Sequence, residues 1–180
     1  ACGLGVLLCW PAGAVLGGRL LALLPARVLA ATGLAAAALA LLLMSRWSAT
    51  TLSDSLGPSW LHPSDPALVL AGLGFGLAIA PVNASLLAAV RPELHGLGSS
   101  LLVVARMVGM LIGISVLTAV GLHAFHTATA GIPPPSALCP AGQLSCPAYD
   151  ARITAAIVDE LRAVFSGAAI CAAIGAAVAG

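Results

Sequence analysis

The 180-residue chain is 61% hydrophobic and 7% charged, with a mean hydropathy of +1.10 and a formal net charge of +1. Soluble domains are about 45–50% apolar and about 25% charged, so this surface suits lipid rather than water. The seven basic residues are all Arg (19, 27, 46, 91, 106, 152 and 162) and never cluster, which excludes a nucleic-acid face built on a basic patch.

A bilayer-crossing helix needs about 20 mostly apolar residues, within a range of about 17–25. Five stretches meet or approach that length: 1–17, 28–45, 67–90, 97–122 and 153–180. Lipid offers no partner to backbone N–H and C=O groups, so each stretch must satisfy its own, and the Ala, Leu and Met that fill them favour helix. The expected fold is an all-α membrane protein, a polytopic transmembrane helix bundle.

The first stretch opens at Ala1 inside an apolar run, with no initiating Met and no basic region before Cys2–Leu8 of the kind a signal peptide carries. The last stops at Gly180 inside another apolar run. The expectation is a piece of a longer chain, cut at both ends. Gly13 and Gly17 sit one turn apart in the first helix, as do Gly72 and Gly76 in the third and Gly109 and Gly113 in the fourth. Such pairs are expected to serve close helix packing, since small residues let membrane helices approach; the sharper reading is contacts that slide during a transport cycle.

The connector between the first two helices is short and carries Arg19 and Arg27. The next, Arg46–Pro66, is longer and polar, with Ser48, Thr50, Thr51, Asp54, Pro58, His62, Pro63 and Asp65. In the third helix, Pro81 removes a backbone hydrogen bond and Asn83 and Ser85 bring polar groups to membrane depth. That pattern reads either as a kink repaired by neighbours or as the interrupted helix of a transport site. A short loop with Arg91, Glu93 and His95 leads into the fourth helix. There Arg106 lies about 12–15 Å from the helix start at 1.5 Å per residue. A charge at that depth is costly and marks a functional candidate, as a pathway or gating residue or one paired inside the bundle. The bland alternative is a side chain that snorkels to the headgroups. No Asp or Glu falls mid-helix, so a titrating carboxylate for a proton relay is expected outside this segment.

His123 and His126 close the fourth helix, but two ligands without a third make no metal site, and interfacial histidines are the simpler reading; no metal is expected. The long loop His123–Asp150 is Pro-rich at Pro133–Pro135. It holds Cys139 and Cys146 with six residues between them, which fits a local disulfide in an oxidising compartment or two free thiols. Cys2, Cys9 and Cys171 lie in apolar runs and read as small buried hydrophobes. Asp150–Arg162 reads as an amphipathic lead-in that carries the last helix beyond the outer face of the bilayer. Basic residues gather on the cytoplasmic side. The short loops hold Arg19, Arg27 and Arg91, the long ones Arg46 and Arg152. The expected topology is multi-pass in the plasma (cell inner) membrane with short loops and C-terminus in the cytoplasm.

These landmarks resemble a known family. Gly17-Gly-Arg-Leu-Leu-Ala-Leu-Leu-Pro-Ala-Arg27 is similar to the C-half copy of the cytoplasmic loop signature of major facilitator superfamily transporters, with Gly18, Arg19 and Arg27 in the motif. Ala22 stands where that signature carries an acid, so the loop's usual charge relay is not expected here. Gly72–Asn83, then Arg91-Pro-Glu-Leu-His-Gly-Leu-Gly-Ser-Ser100 and Ala105-Arg-Met-Val-Gly-Met-Leu-Ile-Gly-Ile-Ser115, resemble the closing helices of the fourteen-helix drug:proton antiporter branch, and look nearest to actinobacterial multidrug and glycolipid exporters. The resemblance implies the last five helices of a major facilitator C-terminal half. It implies a secondary active transporter, with proton-coupled efflux of amphipathic drugs by alternating access. The alternative within the superfamily is a lipid or glycolipid exporter whose extended last helix guides acyl chains; the alternative outside it is a non-transporting membrane scaffold or sensor. Partners would be the bilayer, the missing N-terminal half of the chain and an amphipathic or lipid substrate. An enzyme is not expected, because no paired acids, His cluster or Ser–His set lies at membrane depth, and no cofactor is implied.

Overall fold

Five long helices account for nearly all of the described chain. A computed structural model describes residues 2–48, 65–139 and 146–180, with side chains from Pro11 onward. The helices are α1 (Cys2–Leu20), α2 (Ala26–Met44), α3 (Asp65–Ala89), α4 (His95–Thr129) and α5 (Pro147–Ala179). No strand occurs among the described residues. α2, α3, α4 together with its leading 3₁₀ turn, and α5 are each long and apolar enough to cross a membrane. The loop residues Thr50, Thr51, Asp54, Pro58, His62 and Pro63, and the side chains of Cys2 and Cys9, lie outside the described residues.

The helices pack as a chain of neighbours: α1 on α3, α3 on α2, α2 on α5, and α5 on α4, with α4 touching α3 only sparsely. α3 is therefore held between α1 and α2, and its glycines show how. Residues two apart in a helix point about 200° apart. Gly76 approaches α1, its Cα 3.1 Å from where a Cβ on Gly13 would lie. Gly74 faces the opposite way, and a Cβ there would lie 2.7 Å from both the Gly33 carbonyl and the Ala37 nitrogen of α2. A Cβ on Gly33 would meet the Gly74 carbonyl at 2.8 Å. Both contacts are backbone on backbone, which only glycine allows.

The other end of α2 is fixed by larger side chains. Ala38, Leu41 and Met44 of α2 bury against Ala67 of α3 and Ala169 and Ala172 of α5. Trp47 and Phe165 meet edge to face with centroids 5.9 Å apart. Arg162 donates from Nε to the Trp47 carbonyl at 3.3 Å and pairs through Nη1 with Asp159 at 3.4 Å. A carbonyl left over at the end of α2 thus gains a charged donor, and α5 is clamped to that end.

Two helices outrun the apolar stretches that announce them. The fourth apolar stretch ends at 122, but α4 continues to Thr129. Thr127 and Thr129 bond back to the His123 and Phe125 carbonyls, so the polar extension stays helical. α5 begins at Pro147, ahead of the apolar stretch at 153, because the Asp150–Arg162 lead-in is itself helix. At 1.5 Å per residue α4 and α5 are each about 50 Å long, against a hydrocarbon core of about 30 Å. Cys171, expected buried, is exposed; an apolar thiol suits lipid as well as a core.

Replacing Gly33 or Gly74 by Ala should destabilise the full-length protein by about 1–3 kcal/mol, the cost of overpacking. Gly109→Ala and Gly113→Ala should not, since a Cβ at either meets nothing within 4 Å. Thermal unfolding in detergent reads the contrast, and equal losses at all four positions would contradict the packing described.

Candidate functional site

Two polar groups of otherwise apolar helices come together across the α3–α4 boundary. α3 runs as helix through Pro81 to Ala89, so the proline does not interrupt it; Pro81 is fully buried. A short loop and one 3₁₀ turn, Pro92–Leu94, reverse the chain into α4. His95 Nε2 donates to the Val90 carbonyl at 3.1 Å, and Gly98 packs on the Val90 side chain. The reversal sets α4 antiparallel to α3, and residues 23 positions apart meet: Arg106 donates from Nη2 to Asn83 Oδ1 at 3.5 Å.

That contact has definite chemistry. The Asn83 amide oxygen is a dipole, so a long bond to it aims the guanidinium without neutralising it. Arg106 forms no ion pair among the described residues. Glu93, the nearest acid in sequence, sits on the turn beside the start of α4, about 16 Å of helical rise from Arg106. The magnitudes rank the effects. A side-chain hydrogen bond between membrane helices is worth about 0.6 kcal/mol on average. A charge at the centre of a membrane helix costs about 2.5–3.5 kcal/mol on insertion scales. The bond therefore orients Arg106 and does not stabilise the charge. The surface around it is apolar, with Val103, Met107 and Met110 exposed.

The remaining sequence candidates are distributed as follows. Gly13 abuts Leu73 and Gly76, and Gly17 abuts Leu77, both along the α1–α3 seam. Gly72 is half-buried in α3. Gly109 and Gly113 look onto open space from α4, because α4 meets α5 further along, where Gly121 packs on Val164 and Glu160. Gly18 and Arg19 are exposed at the end of α1, and Arg27 is exposed on the first turn of α2. Cys139 and Cys146 are joined by a disulfide, with Cα atoms 5.6 Å apart. It ties the helical turn Pro135–Leu138 to the start of α5. His123 and His126 are exposed, and no group of three metal-binding side chains occurs among the described residues. Sequence reasoning passed over Gly33, Gly74 and the Trp47–Phe165–Arg162 clamp. Gly74 was visible as the middle glycine of Gly72-Leu-Gly-Phe-Gly76, but a search for glycines one turn apart skips it.

No protein-family model matches the chain. Relatives do. The chain is 40% identical over 145 residues, 77% of its length, to the triacylglyceride transporter of Mycolicibacterium hassiacum. It is 42% identical over 127 residues, 68% of its length, to that of Mycolicibacterium smegmatis, and 40% over 139 residues, 73% of its length, to that of Mycobacterium tuberculosis. The matches cover 27%, 23% and 27% of those relatives, so the chain spans about a quarter of their length. These relatives are named as transporters, not enzymes.

Arg106→Leu should leave the melting temperature of the full-length protein unchanged or raise it, because it removes a charge more costly than the bond it loses. Asn83→Leu should change stability by less than about 1 kcal/mol. A large drop for Arg106→Leu in a thermal-unfolding series would assign that residue a structural ion pair instead. Cys139 and Cys146 should resist maleimide in the denatured, unreduced protein and react only after reduction; labelling without reductant would contradict the disulfide.

Proposed function

We propose that this chain is the C-terminal part of a secondary active lipid exporter of the major facilitator superfamily, whose substrate is an uncharged, triacylglyceride-like lipid. The similarity to three proteins named as triacylglyceride transporters carries this reading. It favours lipid over the amphipathic drugs that the loop and helix motifs by themselves suggested. The bundle gives it physical sense. α4 carries apolar side chains on every face and is scarcely buried along its apolar length, as suits a helix between lipid, cargo and the other half of a transporter.

In this reading all five helices cross the bilayer. Arg19, Arg27 and Arg91 lie at one end of the bundle, which sets that end and the C-terminus in the cytoplasm. The disulfide then lies outside, where an oxidising compartment maintains it. Asn83 and Arg106 form one wall of a midplane site of the kind found in alternating-access transporters, with Pro81 buried in α3. Asn83 aims the Arg106 charge, which holds no fixed ion pair at rest and meets a titrating carboxylate on the remainder of the chain only during the cycle. Coupling to protons is part of the proposal, with the titrating group outside this segment. A scaffold or sensor without transport would have no use for a costly intramembrane charge.

Everted vesicles bearing the full-length protein test this directly. A labelled triacylglyceride should accumulate when a proton gradient is imposed and a lipophilic cationic dye should not. Arg106→Ala should reduce the rate by about tenfold or more, a loss of about 1.4 kcal/mol in the rate-limiting step, with expression retained. Gradient-driven dye accumulation without lipid movement would restore the drug reading. Full transport by Arg106→Ala would remove that residue from the site.

A further inference from the structure

The Arg106–Asn83 contact fixes more than the aim of one charge, because a guanidinium has only donors to offer. The atom it meets must accept, and the Asn83 amide oxygen lies 3.5 Å from Nη2. That sets the orientation of the amide. Its oxygen faces Arg106, and its NH2 group points away, with no partner among the described residues. The other guanidinium N–H groups of Arg106 are equally unpartnered there. Two helices thus bring together a set of unused donors, and the acceptor between them is already taken.

Further acceptors are scarce around this pair. No Asp or Glu occurs between Asp65 and Glu93, or between Glu93 and Asp150. Backbone carbonyls within α3 and α4 are used by their own helices. The exception is the Leu77 carbonyl, which Pro81 cannot serve for want of an N–H, and it faces Gly17 of α1 instead. Val103, Met107 and Met110 make the surroundings of Arg106 apolar.

Such a site sorts ligands by the groups they lack. A lipophilic cation brings a second positive charge and finds nothing to accept its protons. A hydroxyl or amine leaves its own proton unsatisfied in apolar surroundings, which is costly. A fatty-acid carboxylate accepts well, but it cancels the charge that the gate needs. An ester carbonyl is an uncharged acceptor with no proton to place.

We propose that Arg106 and Asn83 select cargo by donating together to an ester carbonyl of an uncharged glyceride. This selection rests on the lipid-export reading above and names the atom that is recognised in it. Apolar contact cannot make the distinction, because cargo chains and bilayer chains are equally apolar. Phospholipid esters are held at the interface by a charged headgroup, which is costly to bring among apolar helices; a triacylglyceride has no such anchor.

The test places the full-length protein in proteoliposomes under an imposed proton gradient. Export of labelled trioleoylglycerol is compared with that of its triether analogue, in which each C=O is replaced by CH2. The wild type should move the triester about tenfold faster or more, because a site built to bond a substrate group rejects the analogue that lacks it. Arg106→Lys, which keeps the charge but loses the fork of donors, and Asn83→Leu should each narrow that ratio. Asn83→Asp, nearly isosteric, engages Arg106 in an ion pair and should bring the ratio close to one. A gating role alone would slow both lipids and leave the ratio intact. An unchanged ratio in all three variants, or equal export of both lipids by the wild type, would overturn the recognition and leave the exporter standing. Oleate carried in preference to the triester would replace it with an anion site. No movement of either lipid by the wild type would remove the exporter reading and this selection with it.

Discussion

The contact on which the bundle depends is the approach of α2 and α3 backbones at Gly33 and Gly74, where a single added methyl would strike a carbonyl. In lipid no hydrophobic drive brings two apolar helices together, because the tails are as apolar as leucine. Close packing and dispersion must supply the attraction, and both fall steeply with distance. Glycine at the crossing lets the flanking alanines of α2, Ala30, Ala37 and Ala40, become buried. Everything else follows in order from that seam. Gly76, on the other side of α3, receives α1; the far end of α2 receives α5 through Met44, Trp47 and Phe165; α5 in turn carries α4.

This order explains why α4 is the least enclosed helix and also the one with the intramembrane charge. A helix wrapped on all sides by its own bundle would have to neutralise Arg106 within that bundle. α4 touches α3 sparsely and α5 toward its far end, so among the described residues Arg106 finds only the Asn83 amide. An amide offers direction at little energy, which leaves the charge responsive to whatever comes near. That property is what the proposed gating role of Arg106 requires.

The far ends of α4 and α5 follow a different logic. Both helices continue past the length that hydrocarbon requires, and polar side chains replace apolar ones as they do. Hydroxyls bonded to preceding carbonyls keep α4 helical there, while Arg162 and Asp159 mark the level at which α5 leaves the Trp47–Phe165 contact. The Cys139–Cys146 bridge then fixes where α5 starts. An extended pair of helices of this kind is longer than the hydrocarbon core, in keeping with the lipid export proposed above.

Composition and hydropathy alone determined that the chain is helical, lies in lipid and crosses it several times, because an unsatisfied backbone in hydrocarbon is too costly for any other solution. They also singled out Asn83 and Arg106, since polar groups stand out against an apolar background. They could not say that the two meet, for residues 23 apart are joined only by the geometry of the loop between them. Nor could they tell which glycines pack. Gly109 and Gly113 carry the same spacing as Gly13 and Gly17, yet they face open space while the unpaired Gly33 sits at the closest crossing. Spacing places residues on one face of a helix; which neighbour that face meets depends on how all five helices share their few close contacts, and only the tertiary structure decides that.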